Sequence, residues 1–273
     1  MVTPDYRHII FMIAFSGMLA YPSLDPVALD LGLFQIRWYG LAYLTGIGLG
    51  VAFLWRQWRG WGLTPSTIWD GVAAIVMGIL LGGRLGYCLI YATSYYAQHP
   101  WEIWFVWNGG MSFHGGLMGV VVAVWWVSKQ WKCSMWKLVD SLARVTPIGL
   151  FFGRIANFVN AELMGRVTSV PWGMPMPHGG PLPRHPSTLY EAIGEGLVLW
   201  VLLWALSRMT WKDGQVGAWF LVGYGSIRFG IEFTREPDAQ LGLLWGLSMG
   251  QWWCLGMVLI GGVLLKWLGR SNR

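Results

Sequence analysis

Arg154 and Asn157 stand three residues apart, and Arg228, Glu232 and Arg235 fall at i, i+4 and i+7, in stretches otherwise rich in apolar residues. If those stretches are helical, each set shares one face. A guanidinium is permanently charged and can fork two donors onto a phosphate. Asn157 adds an amide beside one such cation, and Glu232 can pair with either of its arginines while leaving the other for an anion. Glu162, Gly165 and Arg166 continue the polar run that begins at Arg154. His114, within Ser112-Phe113-His114-Gly115-Gly116, is the residue type that exchanges a proton near neutral pH. Its flanking glycines permit close approach of a ligand or a helix without specifying either. Tyr39, in Arg37-Trp38-Tyr39-Gly40, offers a phenolic hydroxyl to a headgroup, or serves as an interfacial anchor. Taken together these are the parts of an anion site with a proton acceptor. No His-Glu zinc motif, paired-aspartate metal site, phosphate loop or dinucleotide fingerprint accompanies them, so neither a metal nor another cofactor is expected.

The elements that carry these residues belong in a membrane. Of 273 residues 55% are hydrophobic and only 12% charged, well outside soluble composition. Thirty-eight glycines and 21 tryptophans suit close helix packing and interfacial anchoring. The net charge of +6 does not point to nucleic acid, because the 19 Lys and Arg residues are dispersed or lie beside apolar segments. The cysteines, Cys88, Cys133 and Cys254, are too far apart for a metal cluster or an obvious disulfide framework.

A crossing helix needs roughly 20 largely apolar residues. Seven segments meet that test, near Trp38–Trp55, Ile68–Ile90, Gly110–Ser128, Leu138–Phe158, Leu189–Leu206, Val216–Phe233 and Leu244–Leu268. The expected fold class is therefore all-α, a polytopic integral membrane helical bundle of about seven spans. Short cytoplasmic loops retain Lys and Arg. Arg56, Arg59, Lys129, Lys132, Lys137, Arg208, Lys212, Lys266, Arg270 and Arg273 fall on one side. Arg7, Arg37, Arg166, Arg184 and Arg235 fall on the other, where Asp5, Asp25, Asp30, Glu102, Glu162, Glu236 and Asp238 cancel them. This places the N-terminus outside and the C-terminus in the cytoplasm.

Two long connections, near 91–109 and 160–188, then face outward. The first carries Trp101, Trp104, Phe105 and Trp107, as an interfacial segment would; the second has six prolines, which argue against a regular helix. Residues 1–17 read either as an upstream extension ahead of Met18 or, since Arg7 precedes an apolar run, as a signal peptide, with a single membrane-embedded domain over 18–273. Arg84, Asp140, Arg144, Arg154, Glu191, Glu195, Arg228 and Glu232 lie within or at the edges of spans. There a charge costs roughly 2.5 to 3.5 kcal/mol on insertion scales and must face a polar cavity, find a partner or snorkel. Arg84 and Asp140 suit anchoring or structural pairing, and His185-Pro186-Ser187 suits the start of a helix, with Ser187 as its cap. The remaining polar positions recur at one depth, opposite the basic loops.

The chain resembles the bacterial prolipoprotein diacylglyceryl transferase family. The resemblance rests on Ile36-Arg37-Trp38-Tyr39-Gly40-Leu41, Ser112 to Gly116, Gly153 to Arg166, His185-Pro186-Ser187 with Leu189-Tyr190-Glu191-Ala192, and Arg228-Phe229 through Glu232 to Arg235-Glu236-Pro237-Asp238. It covers roughly Met18 to the C-terminus. It implies transfer of a diacylglyceryl group from phosphatidylglycerol to the lipobox cysteine thiol of a prolipoprotein signal peptide, releasing glycerol phosphate. Arg154, Asn157, Glu162 and Gly165 match the family signature, and His114, Tyr39, Arg228 and Glu232 match its other functional positions, with Arg166 and Arg235 as further candidates. The resemblance thus implies catalytic roles for His114, Arg154, Arg228 and Tyr39, and substrate binding by the rest. The competing readings are an anionic phospholipid transporter or flippase, for which no two-half repeat is evident, and a noncatalytic membrane scaffold.

Overall fold

The computed structural model describes residues 19–22, 24–32, 35–237 and 242–270. The expected extension over 1–17, and Met18, Asp238 and Arg273 with it, lie outside the described residues. Helices run through most of the sequence that hydropathy selects. They are α1 (Trp38–Gly60), α2 (Pro65–Gly86), then beyond the short α3 (Thr93–Gln98) α4 (Phe113–Gln130) and α5 (Met135–Val159). Next come α6 (Ser187–Glu191), continued by a π-helical turn over Ala192–Val198 into α7 (Leu199–Leu206), then α8 (Gln215–Ile231) and α9 (Met249–Arg270). By length and composition four are long and apolar enough to cross a membrane: Trp38–Gly60, Pro65–Tyr91, Ser187–Leu206 and Met249–Arg270. The protein is an all-α, polytopic helical membrane protein. Among the described residues three two-stranded antiparallel ribbons ornament the connections: β1 (Val27–Asp30) with β2 (Gln35–Arg37), β3 (Met174–Pro175) with β4 (Pro183–Arg184), and β5 (Leu243–Leu244) with β6 (Leu247–Ser248).

Local chemistry sets the helix ends. Thr64 caps α2 by accepting from Thr67 N at 3.2 Å, with Pro65 in the first turn, where its missing N–H costs nothing. Ser112 caps α4 by accepting from Gly115 N at 3.2 Å. At α9 the pair is reciprocal: Gln251 N donates to Ser248 Oγ at 3.2 Å, and Ser248 N donates to Gln251 Oε1 at 2.9 Å. This Ser-x-x-Gln box is why the last helix starts at Met249 and not at Leu244, as hydropathy suggests. The residues between turn back as the β5–β6 hairpin, with Gly246 at φ +80°.

Two compact units divide the chain, one over Val51–Leu142 with Lys212–Gly217 and the other comprising the described parts of Met1–Gly50, Ala143–Trp211 and Ala218–Arg273. In the former, Gly78, Gly82 and Gly86 on α2 lie against Gly115 and Gly119 on α4. A Cβ built on Gly82 would stand 2.4 Å from the Gly115 carbonyl oxygen, and one on Gly119 would stand 1.9 Å from that of Gly78. Close backbone approach is what holds helices together where lipid removes the hydrophobic drive. A groove of about 610 Å³ runs along this contact, lined by Met77, Leu81, Leu85, Met118, Val122 and Trp126 among others. Gly119→Val should therefore force α2 and α4 apart. A loss of about 1–3 kcal/mol or more is expected, read as a lower thermal unfolding midpoint in detergent. An unchanged midpoint would mean the backbones do not meet there.

The same unit explains two of the buried charges. Arg84, 2% exposed, donates from Nε to the Ile103 carbonyl at 2.8 Å, from Nη2 to that of Glu102 at 2.8 Å, and from Nη1 to that of Gly109, and stacks over Tyr96. It thereby pins the aromatic segment near 91–109, which winds through α3 and two 3₁₀ turns. Asp140 accepts from Gly214 N at 2.7 Å and Gly217 N at 2.8 Å, capping α8. Both are structural partners.

In the other unit, residues 160–188 form an ordered loop. Phe158, Met174 and Met176 make a small apolar core with Tyr21, Met164 and Leu189 packed on it. Bridges Val167–Arg184 and Gly165–Arg235 tie the loop to the β3–β4 ribbon and to the chain beyond α8.

Candidate active site

The site is assembled on the stretch that follows Pro186. Ser187 is the first residue of α6 and Pro186 holds the cap position, so the serine does not cap the helix; its hydroxyl donates to the Leu163 carbonyl at 3.0 Å. Beyond Glu191 the helix widens into the π-helical turn that carries Glu195. Such turns are rare and recur at functional sites. Two glycines let this turn fit between its neighbours: a Cβ on Gly194 would stand 2.7 Å from Ile227 of α8, and one on Gly196 would stand 2.6 Å from Phe151 of α5. The turn therefore presents Glu191 and Glu195 to the arginines of both helices.

Glu191 and Glu195 are each 0% exposed. Arg154 Nε lies 2.9 Å from Glu191 Oε2, and its Nη2 donates to Glu195 Oε2 at 3.2 Å. Arg228 Nη1 lies 2.8 Å from Glu191 Oε1 and 2.9 Å from Glu195 Oε1, while its Nη2 meets Glu232 Oε2 at 3.0 Å. The two arginines thus share two carboxylates and occupy one polar cluster. An isolated charge so deep would cost several kcal/mol, and reciprocal ion pairing is what offsets it. Arg235 joins at the edge, 3.4 Å from Glu191 Oε1, and balances the third carboxylate. Each guanidinium has five N–H donors. The arginine side chains keep 18% and 12% exposure, so the cluster holds two fixed cations that can still be reached.

The spacing of Arg228, Glu232 and Arg235 predicts one helical face, and the structure modifies this. The helix stops at Ile231, Glu232–Thr234 is a 3₁₀ turn closed by Thr234 Oγ1 donating to the Ile231 carbonyl, and Arg235 is extended. Pro237 lies two residues on, and its neighbour is disfavoured from continuing a helix. Arg235 reaches the cluster from the loop, not from the helix. Glu232 selects Arg228 and is held from its far side by Ser248 Oγ, which donates to Oε1 at 3.1 Å.

Asn157 does not share a target with Arg154. Its Nδ2 donates to Glu162 Oε2 at 2.8 Å, and Asn160 Nδ2 donates to Glu162 Oε1 at 3.2 Å, so two amides orient one carboxylate just beyond α5. Gly165 is fixed by sterics: a Cβ there would stand 2.2 Å from the His185 carbonyl oxygen. Arg166 spends its Nε on the Arg235 carbonyl at 2.9 Å, which positions the strand that carries Arg235. Near this seam burial lowers the pKa of His185, whose Nδ1 faces Tyr190 Oη at 3.2 Å. Tyr39, at the start of α1, pairs its hydroxyl with that of Tyr43 at 3.2 Å. His114 belongs to the unit of α2 and α4, where it is exposed in the first turn of α4 beside Phe113.

Glu191 and Glu195 are the cluster members that residue type and spacing do not assign to the site. Two acids four apart in an apolar span, matched by arginines in two other spans, were the available signal.

Comparison with known proteins identifies the family. Residues 26–267 match the prolipoprotein diacylglyceryl transferase family. The phosphatidylglycerol-prolipoprotein diacylglyceryl transferase of Pseudomonas paraeruginosa is 49% identical over 261 residues, covering 93% of this chain and 97% of that protein. The protein of the same name from Methylobacillus flagellatus is 49% identical, covering 91% and 98%, and that from Nitratidesulfovibrio vulgaris is 46% identical, covering 91% and 96%. With its sequence matched almost end to end, the chain belongs to the prolipoprotein diacylglyceryl transferase family.

Proposed function

We propose that this chain transfers the diacylglyceryl group of phosphatidylglycerol to the lipobox cysteine of a prolipoprotein signal peptide, in the bacterial inner membrane. The observation that carries the proposal is the sharing of two fully buried carboxylates by Arg154 and Arg228. It fixes two partly exposed guanidinium groups side by side in an apolar protein, an arrangement suited to a phospholipid phosphate.

In the proposed reaction the thiol sulfur attacks the glycerol carbon bonded to the phosphate. A C–S bond forms, the C–O bond breaks, and its electron pair leaves with glycerol phosphate, which departs with one more negative charge than the diester had. Arg154 and Arg228 take up that developing charge. Donors fixed in advance do so without reorganisation and in a site of low dielectric. His114 accepts the thiol proton and passes it to water, and Tyr39, whose hydroxyl pairs with that of Tyr43, is the further catalytic candidate. Glu232 pairs with Arg228, Glu162 held by Asn157 offers acceptors to headgroup hydroxyls, and Gly165, Arg166 and Arg235 keep the adjoining loop in register. The arrangement calls for seven crossings, with the N-terminus and the active site toward the periplasm and the C-terminus in the cytoplasm. The alternation of Lys and Arg between loops supports that orientation.

The test is mass analysis of a lipobox peptide incubated with purified protein and phosphatidylglycerol. A gain of one diacylglyceryl group on cysteine, with release of glycerol phosphate, is expected. An unmodified peptide beside lipid moved between leaflets would establish transport instead.

A further inference from the structure

We infer that Glu195 is a positioning residue that fixes Arg154 and Arg228 as a single phosphate grip, and that the π-helical turn is the device that aims it. The inference rests on the transfer reading above. Glu195 is 0% exposed, and its two oxygens are divided between the arginines: Oε1 faces Arg228 Nη1 at 2.9 Å, and Oε2 faces Arg154 Nη2 at 3.2 Å. The short fixed distance between the oxygens of one carboxylate therefore sets the separation of two like charges that would otherwise repel. Glu191 bridges the same pair, but it also holds Arg235, whereas the ion pairs of Glu195 among the described residues are with these two arginines alone.

The turn matters because four residues of regular α-helix overshoot one full rotation by about 40°. Widening the helix over Ala192–Val198 takes up that overshoot, so Glu191 and Glu195 point at the same cations from successive turns. Gly194 and Gly196 let the widened segment lie against α8 and α5. A helix that served only to cross the membrane would need neither the buried acid nor the distortion.

The experiment compares wild type, Glu195→Gln and Glu195→Asp for transfer to a lipobox peptide, and for inhibition by added glycerol phosphate, with thermal unfolding in detergent alongside. Glu195→Gln keeps the shape, loses the charge and lets the cations shift, so kcat should fall about 10- to 100-fold. Removing a negative charge leaves the cluster more attractive to an anion, so inhibition by glycerol phosphate should hold or strengthen. Glu195→Asp restores the charge at shorter reach, and its kcat should lie between the other two. A kcat for Glu195→Gln within about twofold of wild type, less than 0.5 kcal/mol in barrier, overturns the inference. So does a parallel loss of kcat and of glycerol phosphate inhibition, which marks general loosening of the fold. If Glu195→Gln does not accumulate as folded protein, Glu195→Asp decides: reduced kcat at an unchanged unfolding midpoint supports the role, and wild-type kcat refutes it. Wild-type protein that leaves the peptide unmodified would instead overturn the transfer reading.

Discussion

Arg154→Gln should reduce diacylglyceryl transfer by about 10²- to 10³-fold at every accessible pH, the scale seen when one donor to a developing charge is removed. The loss should fall on kcat and persist at saturating phosphatidylglycerol, because the interaction strengthens as the phosphate becomes a monoester. Arg154 is also a structural cation. Its removal leaves Glu191 and Glu195 with Arg228 as their principal partner, and breaking a buried pair costs about 3–5 kcal/mol. Arg154→Lys separates the two contributions. It keeps the positive charge against the carboxylates but lacks the planar fork, so it should recover unfolding stability more fully than kcat. Turnover of Arg154→Gln near the wild-type value would remove this residue from the reaction.

The same geometry explains what hydropathy reaches and where it stops. A run of about 20 apolar residues is visible in any window, so all seven helical stretches are locatable in advance. Their ends are not, since Ser112, Ser248 and Gln251 act through single hydrogen bonds that an average over residues erases. Arg154 and Arg228 stand out because a permanent cation in an apolar span demands a partner. Which partner answers is a tertiary fact: Glu191 and Glu195 lie 33 to 41 residues away in sequence, on a stretch whose Pro and Ser read locally as an ordinary helix start. Arg235 illustrates the reverse error. Helical spacing assigns it to the face of Arg228 correctly in outcome but by the wrong route, since the extended chain after the 3₁₀ turn delivers it.

Replacing His114 by Gln should lower transfer at neutral pH by about 10²- to 10⁴-fold, the usual worth of a positioned general base, and should change the shape of the pH profile. A free cysteine thiol has a pKa of about 8.5, so only about 3% is thiolate at pH 7. Without an internal acceptor the rate must follow that fraction, rising about tenfold per pH unit until the thiol pKa is approached. The variant should therefore regain much of its deficit by pH 8.5, while Arg154→Gln regains none. Exposure in the first turn of α4, behind the Ser112 cap, gives the imidazole room to meet a thiol and makes the Gln side chain an easy structural substitute. If His114 only organises the segment, the variant and wild type will trace parallel curves with binding of phosphatidylglycerol intact. Proton removal would then belong to another group, and the arginine pair would remain the sole catalytic assignment that the cluster supports.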